Sequence, residues 1–150
     1  RTSRSWALET WRMGCFWGAE RLFWKQEGVY STQVGFAGGH TPNPTYKEVR
    51  TGLTAHAEVV RVVFDPKVIT YKVLLKLFWE NHDPTEAFYL FFSANVVLHS
   101  IINRPLNLSV TLCMQELNAH GLGITTTEIR AAPTFYYAED YHQQYLHKNP

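Results

Sequence analysis

Apolar positions along the chain fall into a few regular patterns, and each predicts an element. From Cys15 to Gln26, Phe16, Ala19, Leu22 and Phe23 recur at spacings of three and four, the stripe of a helix with one buried face. Gly28 stands where a C′ glycine would end that helix. Val29 to Phe36 reads as a strand, and Gly35, Gly38 and Gly39 lead into a loop. The loop continues from His40 to Thr45, where Pro42 and Pro44 exclude regular structure. Ala57 to Phe64 alternates with a period of two until Asp65-Pro66 ends it, which predicts a second strand. Tyr71 to Asn81 carries Val73, Leu74, Leu77 and Phe78 on one helical face. Near the end, Ile124 to Arg130 predicts a strand and Tyr137 to Leu146 a short, aromatic-rich helix. A further strand fits before Gly14.

This order lacks regular βαβ alternation and points to an α+β two-layer sandwich. The stretch from Ala87 to Ile102 fits no pattern, being almost continuously apolar. A membrane-spanning helix needs about 20 apolar residues, and this run contains Asn95 and His99. A buried helix or strand pair is therefore expected in place of a span, with an ill-fitting, aggregation-prone insert as the third reading.

Composition narrows the classes. With 150 residues, 45% of them hydrophobic and 18% charged, the chain is expected to fold as one domain over residues 1–150. A net charge of +1 removes the electrostatic footprint of a general nucleic-acid binder. Two cysteines cannot build the multi-bridge framework of a small secreted scaffold. Residues 1–12 hold no apolar core of a secretory leader, and the chain starts without Met, as a fragment or processed end would.

Candidate chemistry concentrates in Gly14-Cys15-Phe16-Trp17-Gly18. A cysteine at the first turn of a helix lies against free backbone N–H groups and the positive end of the dipole, a setting that favours an anionic sulfur. Phe16 and Trp17 place aromatic surface beside that sulfur, suited to a small apolar or thioether-like group. Glu58 shares its strand face with Val60, Val62 and Phe64, the positions expected to meet the core. A carboxyl in such surroundings is expected to hold its proton near neutrality. His40, His56, His82 and His142 raise a metal or a Cys15–His56 hydrolase reading, but no pair has zinc spacing and Cys113 has no CxxC partner.

These residues closely resemble the methionine sulfoxide reductase A family, whose nucleophile motif is Gly-Cys-Phe-Trp-Gly-Ala-Glu. The likeness extends through Gly28 to Gly39, Asn43 to Val49, His56 to Val60, Phe78 to Thr85 and Thr134 to Tyr145. With it, the expected fold is an α+β two-layer sandwich of ferredoxin-like type with extensive coil. The resemblance implies that Cys15 attacks the sulfoxide sulfur and becomes a sulfenic acid while methionine leaves. It implies that Glu58 protonates the sulfoxide oxygen, Tyr46 helps hold that oxygen, and Phe16 and Trp17 seat the methyl group. It further implies the S epimer of methionine sulfoxide, free or in peptides and proteins, as substrate. No bound cofactor or metal is expected, with thioredoxin or a small thiol as external reductant. The expected setting is a monomer inside the cell, cytoplasmic or mitochondrial, with no nucleic-acid partner and no membrane partner.

The chain departs from that family in two places. After Asp83-Pro84-Thr85 the family carries a polar, glycine-bearing block that lends an aspartate and a tyrosine to the site. Here residues 86–123 match none of it, and neither Asp83 nor Tyr89 takes those roles by proximity. The family's glycine-rich tail with resolving cysteines is likewise absent before Lys148-Asn149-Pro150, which leaves Cys113 as the other thiol. If Cys113 does not reach Cys15, an external thiol must reduce the sulfenic acid. A catalytically impaired relative, a weak sulfoxide-binding module or a poorly folding variant, is the alternative these departures raise.

Overall fold

The computed structural model describes residues 6–12, 15–81, 96–99, 128–131 and 134–150. Strand β1 (Ala7–Arg12) leads into helix α1 (Phe16–Trp24), strand β2 (Val29–Ala37), helix α2 (Tyr46–Arg50) and strand β3 (Ala57–Phe64). Helix α3 (Tyr71–Glu80), strands β4 (Val96–His99), β5 (Glu128–Ala131) and β6 (Tyr136–Tyr137), a 3-10 turn (Asp140–His142) and helix α4 (Tyr145–Lys148) follow. The six described strands form one sheet in the order β5-β4-β1-β3-β2-β6, antiparallel except for β4 and β5. The chain is thus a mixed α+β protein.

Register fixes which side chains meet the helices. Val60 pairs with both Trp11 and Val34, and Glu58 pairs with Phe36. Strand alternation then puts Glu58, Val60, Val62 and Phe64 on one face. Val60, Val62 and Phe64 there are buried in a core with Phe16 and Phe23 of α1 and Leu74 of α3. Trp11 joins the layers, its ring 5.5 Å from Phe23 and 5.9 Å from Tyr71. Burying these rings and valines is the main drive for docking both helices on this face.

The strand expected before Gly14 is present as β1, and the periodicities over β2, β3, α1 and α3 correspond to elements within a few residues. Two readings need correction, and one element is new. Helix α1 ends at Trp24, with Lys25 still in helical conformation. Gly28 lies beyond it with φ +95°, in the turn to β2 and against Ile69, so it serves that turn and does not cap the helix. The segment after Pro44 holds a helix, α2, started by a capping box in which the Thr45 side chain accepts from the Glu48 N–H and the Glu48 carboxylate accepts from the Thr45 N–H.

The second correction concerns the C-terminal segment. The helix expected over Tyr137 to Leu146 is instead β6, the 3-10 turn and α4. Tyr137 pairs with Gly35 across the β2 edge, and Gln144 adopts a left-handed conformation (φ 50°, ψ 41°) that interrupts any helix. The strand expected over Ile124 to Arg130 is described as Glu128–Ala131, with residues 124–127 outside the described residues. Of the apolar run Ala87 to Ile102, only Val96–His99 is described, as a strand between β1 and β5. Gly14, Cys113, His82 and the rest of residues 86–123 lie outside the described residues. Among the described residues no helix is long and apolar enough to cross a membrane.

Gly35 lets β6 approach closely, since a Cβ there would overlap the Tyr136 carbonyl oxygen and the Phe135 ring. Gly35→Ala is therefore expected to cost about 1–3 kcal/mol, the scale of overpacking in a tight site. Urea unfolding checks this, and an unshifted midpoint would refute the close-approach role.

Candidate active site

Cys15 is the N-cap residue of α1, exposed, free, and without a side-chain capping bond. Its sulfur therefore stands at the helix start with the orphan N–H groups of the first turn nearby. The thiol opens on a groove of about 500 Å³ along α1, whose described walls include Gly18, Leu22, Lys25 and Asn81.

Glu58 comes to this helix start from below, at the end of the apolar row on β3. Burial pushes its carboxyl up to about 7, against the opposing pull of the Phe16 backbone N–H and of Arg50. That N–H belongs to the residue after Cys15, so the carboxyl and the thiol share one end of α1. The sequence expectation of a proton held near neutrality agrees with this environment.

Tyr46, the first residue of α2, completes the group. Burial, then the field of Glu58, with smaller effects of Cys15 and Glu139, raise its phenol above the ordinary value, and Arg50 opposes. The phenol is thus a hydrogen-bond donor at neutral pH. Phe16 is 1% exposed and stacks at 6.2 Å from Tyr46 and 6.4 Å from Trp17. All five sequence-predicted site residues therefore gather around the start of α1. A proton donor, a nucleophile and an aromatic wall side by side suit the attack of sulfur on a small polar group whose oxygen needs a proton to leave.

Several neighbours escape a reading of the sequence. Glu139 accepts the Tyr46 N–H at 3.1 Å and the Tyr141 hydroxyl at 3.2 Å. His142, 1% exposed, accepts the Trp17 indole N–H on Nδ1 at 3.0 Å, and Tyr145 stacks on that indole at 3.8 Å. Two glutamines strap the segment carrying these residues to the body. The Gln143 side chain accepts from the Val34 N–H and donates to the Val34 and Ala138 carbonyls. The buried Glu20 carboxylate accepts from the Gln144 backbone N–H, the Gln144 side chain and the Thr32 hydroxyl. Burial raises the Glu20 carboxyl, and those donated bonds pull the other way. The Thr45-x-x-Glu48 spacing was the one signal that could have found α2; nothing local signals Glu139 or His142.

The hydrolase reading does not survive. His56 is buried and its Nδ1 accepts from the Gly39 N–H, while Nε2 donates to the Thr41 carbonyl at 2.6 Å. Both ring nitrogens are spent on the loop before α2, leaving none to take a proton from Cys15. Among the described residues no three His, Cys, Asp or Glu side chains are grouped to hold a metal ion.

Known proteins resemble this chain in sequence and fold. A family model described as peptide methionine sulfoxide reductase matches residues 10–150. The mitochondrial peptide methionine sulfoxide reductase of Bos taurus is 57% identical over 145 residues, 92% of this chain. The chain spans 62% of that relative's length. Among solved structures, methionine sulfoxide reductase A of Corynebacterium diphtheriae superposes with a TM-score of 0.87 at 40% identity, covering 99% of this chain and 77% of that one. Mxr1 of Saccharomyces cerevisiae, solved in complex with Trx2, superposes at 0.65 and 25% identity, over 93% of this chain and 84% of that one. With a family match over almost its whole length, the chain belongs to the peptide methionine sulfoxide reductase family.

Proposed function

We propose that this chain, as a single domain, reduces the S epimer of methionine sulfoxide, free or in peptides and proteins, to methionine. The observation that carries the reading is the convergence of Cys15, Glu58 and Tyr46 at the start of α1. In the first step the Cys15 sulfur attacks the sulfoxide sulfur while Glu58 delivers a proton to the oxygen and Tyr46 donates a hydrogen bond to it. Phe16 and Trp17 seat the methyl group. The oxygen passes to Cys15, leaving a sulfenic acid and releasing methionine. Two thiol equivalents then return the sulfenic acid to the thiol, with loss of water and formation of one disulfide.

The yeast relative's complex with Trx2 supports a thioredoxin as the reductant, with small thiols as substitutes. No bound cofactor or metal takes part, and no nucleic-acid or membrane partner is required. We place the chain in the cell interior as a monomer, cytoplasmic or mitochondrial; the bovine relative's name supports the mitochondrial setting. The strand order β4-β1-β3-β2, with α1 joining β1 to β2 and α3 lying between β3 and β4, supports a two-layer sandwich of ferredoxin-like type extended at both edges.

A single-turnover experiment tests the chemistry. A peptide bearing the S sulfoxide, mixed with reduced protein and no other thiol, should release one equivalent of methionine peptide. Mass spectrometry should then find one added oxygen on Cys15. The R epimer should release far less. Equal release from both epimers, or oxygen on another residue, would overturn the reading.

A further inference from the structure

Trp17 is held in two different ways. Its indole stacks on Tyr145 with centroids 3.8 Å apart and planes 10° apart, and more loosely on His142 at 5.7 Å and 28°. Stacking fixes a plane but tolerates sliding and rotation within it. The in-plane direction is set by one bond, from the Trp17 indole N–H to His142 Nδ1 at 3.0 Å. An indole N–H only donates, so Nδ1 must carry a lone pair and the ring proton sits on Nε2. That nitrogen lies 3.8 Å from a Glu139 carboxylate oxygen, and Glu139 accepts the Tyr46 backbone N–H. Tyr46 also packs against the imidazole at 4.4 Å. One imidazole therefore touches both Trp17 and Tyr46, which come from different helices.

We propose that His142 is a positioning residue: its neutral imidazole, by accepting the Trp17 indole N–H, fixes the wall that seats the substrate's methyl group, and its protonation releases that wall. The inference rests on the reductase reading above. An imidazolium has no lone pair at Nδ1, so taking a proton breaks the bond and places two like N–H dipoles face to face. The groups facing His142 are Phe16 and Trp17 from α1, which do not titrate, Tyr46 from α2, and Glu139 and Tyr141 from its own segment. Burial holds the imidazole below its ordinary value, Glu139 partly opposing, so the bond persists through neutral pH and is lost on acidification.

The test compares His142→Leu with His142→Asn. The Asn carbonyl can occupy the place of Nδ1 and accept the indole N–H, and it does not titrate; Leu cannot accept it. His142→Leu is expected to raise KM for a methionine sulfoxide peptide about tenfold, one hydrogen bond's worth, with kcat within about threefold. His142→Asn should return KM to within about threefold of the parent and remove the acid-side rise of KM expected of the parent. A second readout needs no turnover. In proton–nitrogen spectra the Trp17 indole resonance, assigned through Trp17→Phe, should lose its hydrogen-bonded shift in His142→Leu and keep it in His142→Asn. An indole unaffected by Leu, or Asn as impaired as Leu in both readouts, would overturn the inference. An inactive parent that nonetheless shows the indole effect would instead refute the reductase reading alone.

Discussion

Cys15→Ser is expected to abolish methionine sulfoxide reduction, by about 10⁴-fold or more in kcat, the scale on which a covalent nucleophile is lost. The reason goes beyond the weaker nucleophilicity of an alcohol. In the proposed chemistry the residue at position 15 keeps the sulfoxide oxygen, and on serine that oxygen would have to form an O–O bond. Sulfur accepts it as a sulfenic acid; oxygen has no comparable product. The substitution also isolates chemistry from folding. Cys15 is exposed and its side chain makes no capping bond, while serine is a favoured N-cap residue. Thermal stability should be equal or slightly higher, and sulfoxide binding should persist. Turnover of the serine variant equal to the parent's, measured with a chemical thiol as reductant, would remove Cys15 from the mechanism.

Glu58→Gln carries the second large effect, a fall in the chemical rate of about 10²–10³-fold, as for a positioned acid. Glutamine keeps the volume and a hydrogen-bond donor but has no proton to give. The pH profile makes the assignment specific. With the Glu58 carboxyl pushed up to about 7, the protonated fraction falls above that pH, and the parent's rate should fall about tenfold per further unit. The glutamine variant should lose that limb and run flat through the same range. Stability should follow the same proton with a definite sign. A carboxyl raised in the folded state contributes stability below its unfolded value of 4.5, and the contribution is lost as pH climbs through about 7. Glutamine never ionises, so its Tm advantage over the parent should be small at pH 5 and grow toward pH 8. An unchanged rate, or a high-pH limb that survives in the variant, would exclude Glu58 as the acid.

Which parts of this molecule could be read from its sequence follows from the range over which their causes act. Helix α1 and strand β3 are written in local periodicity, because each must bury one face against the other. The same period of two put Glu58 on the core side of β3, and from that its raised proton affinity followed. The C-terminal segment obeys no such rule. Its path is set by Gln143 standing in for a strand partner at Val34 and by Glu20 gathering the donors of Gln144. A left-handed glutamine and two side-chain amides leave no period to detect, so the aromatic-rich run reads as a helix in sequence. The contacts of His142 and Glu139 are illegible for the same reason, since their partners lie 125 and 93 positions away.

Those separations also order events in time. Cys15, Phe16 and Trp17 are made more than a hundred residues before the imidazole and tyrosine that hold the Trp17 indole. Closing a loop of that span costs entropy that only the finished contact repays, so the indole is fixed only once the chain has been made through Tyr145. During synthesis the proposed nucleophile is therefore present long before the groups that fix the aromatic wall beside it.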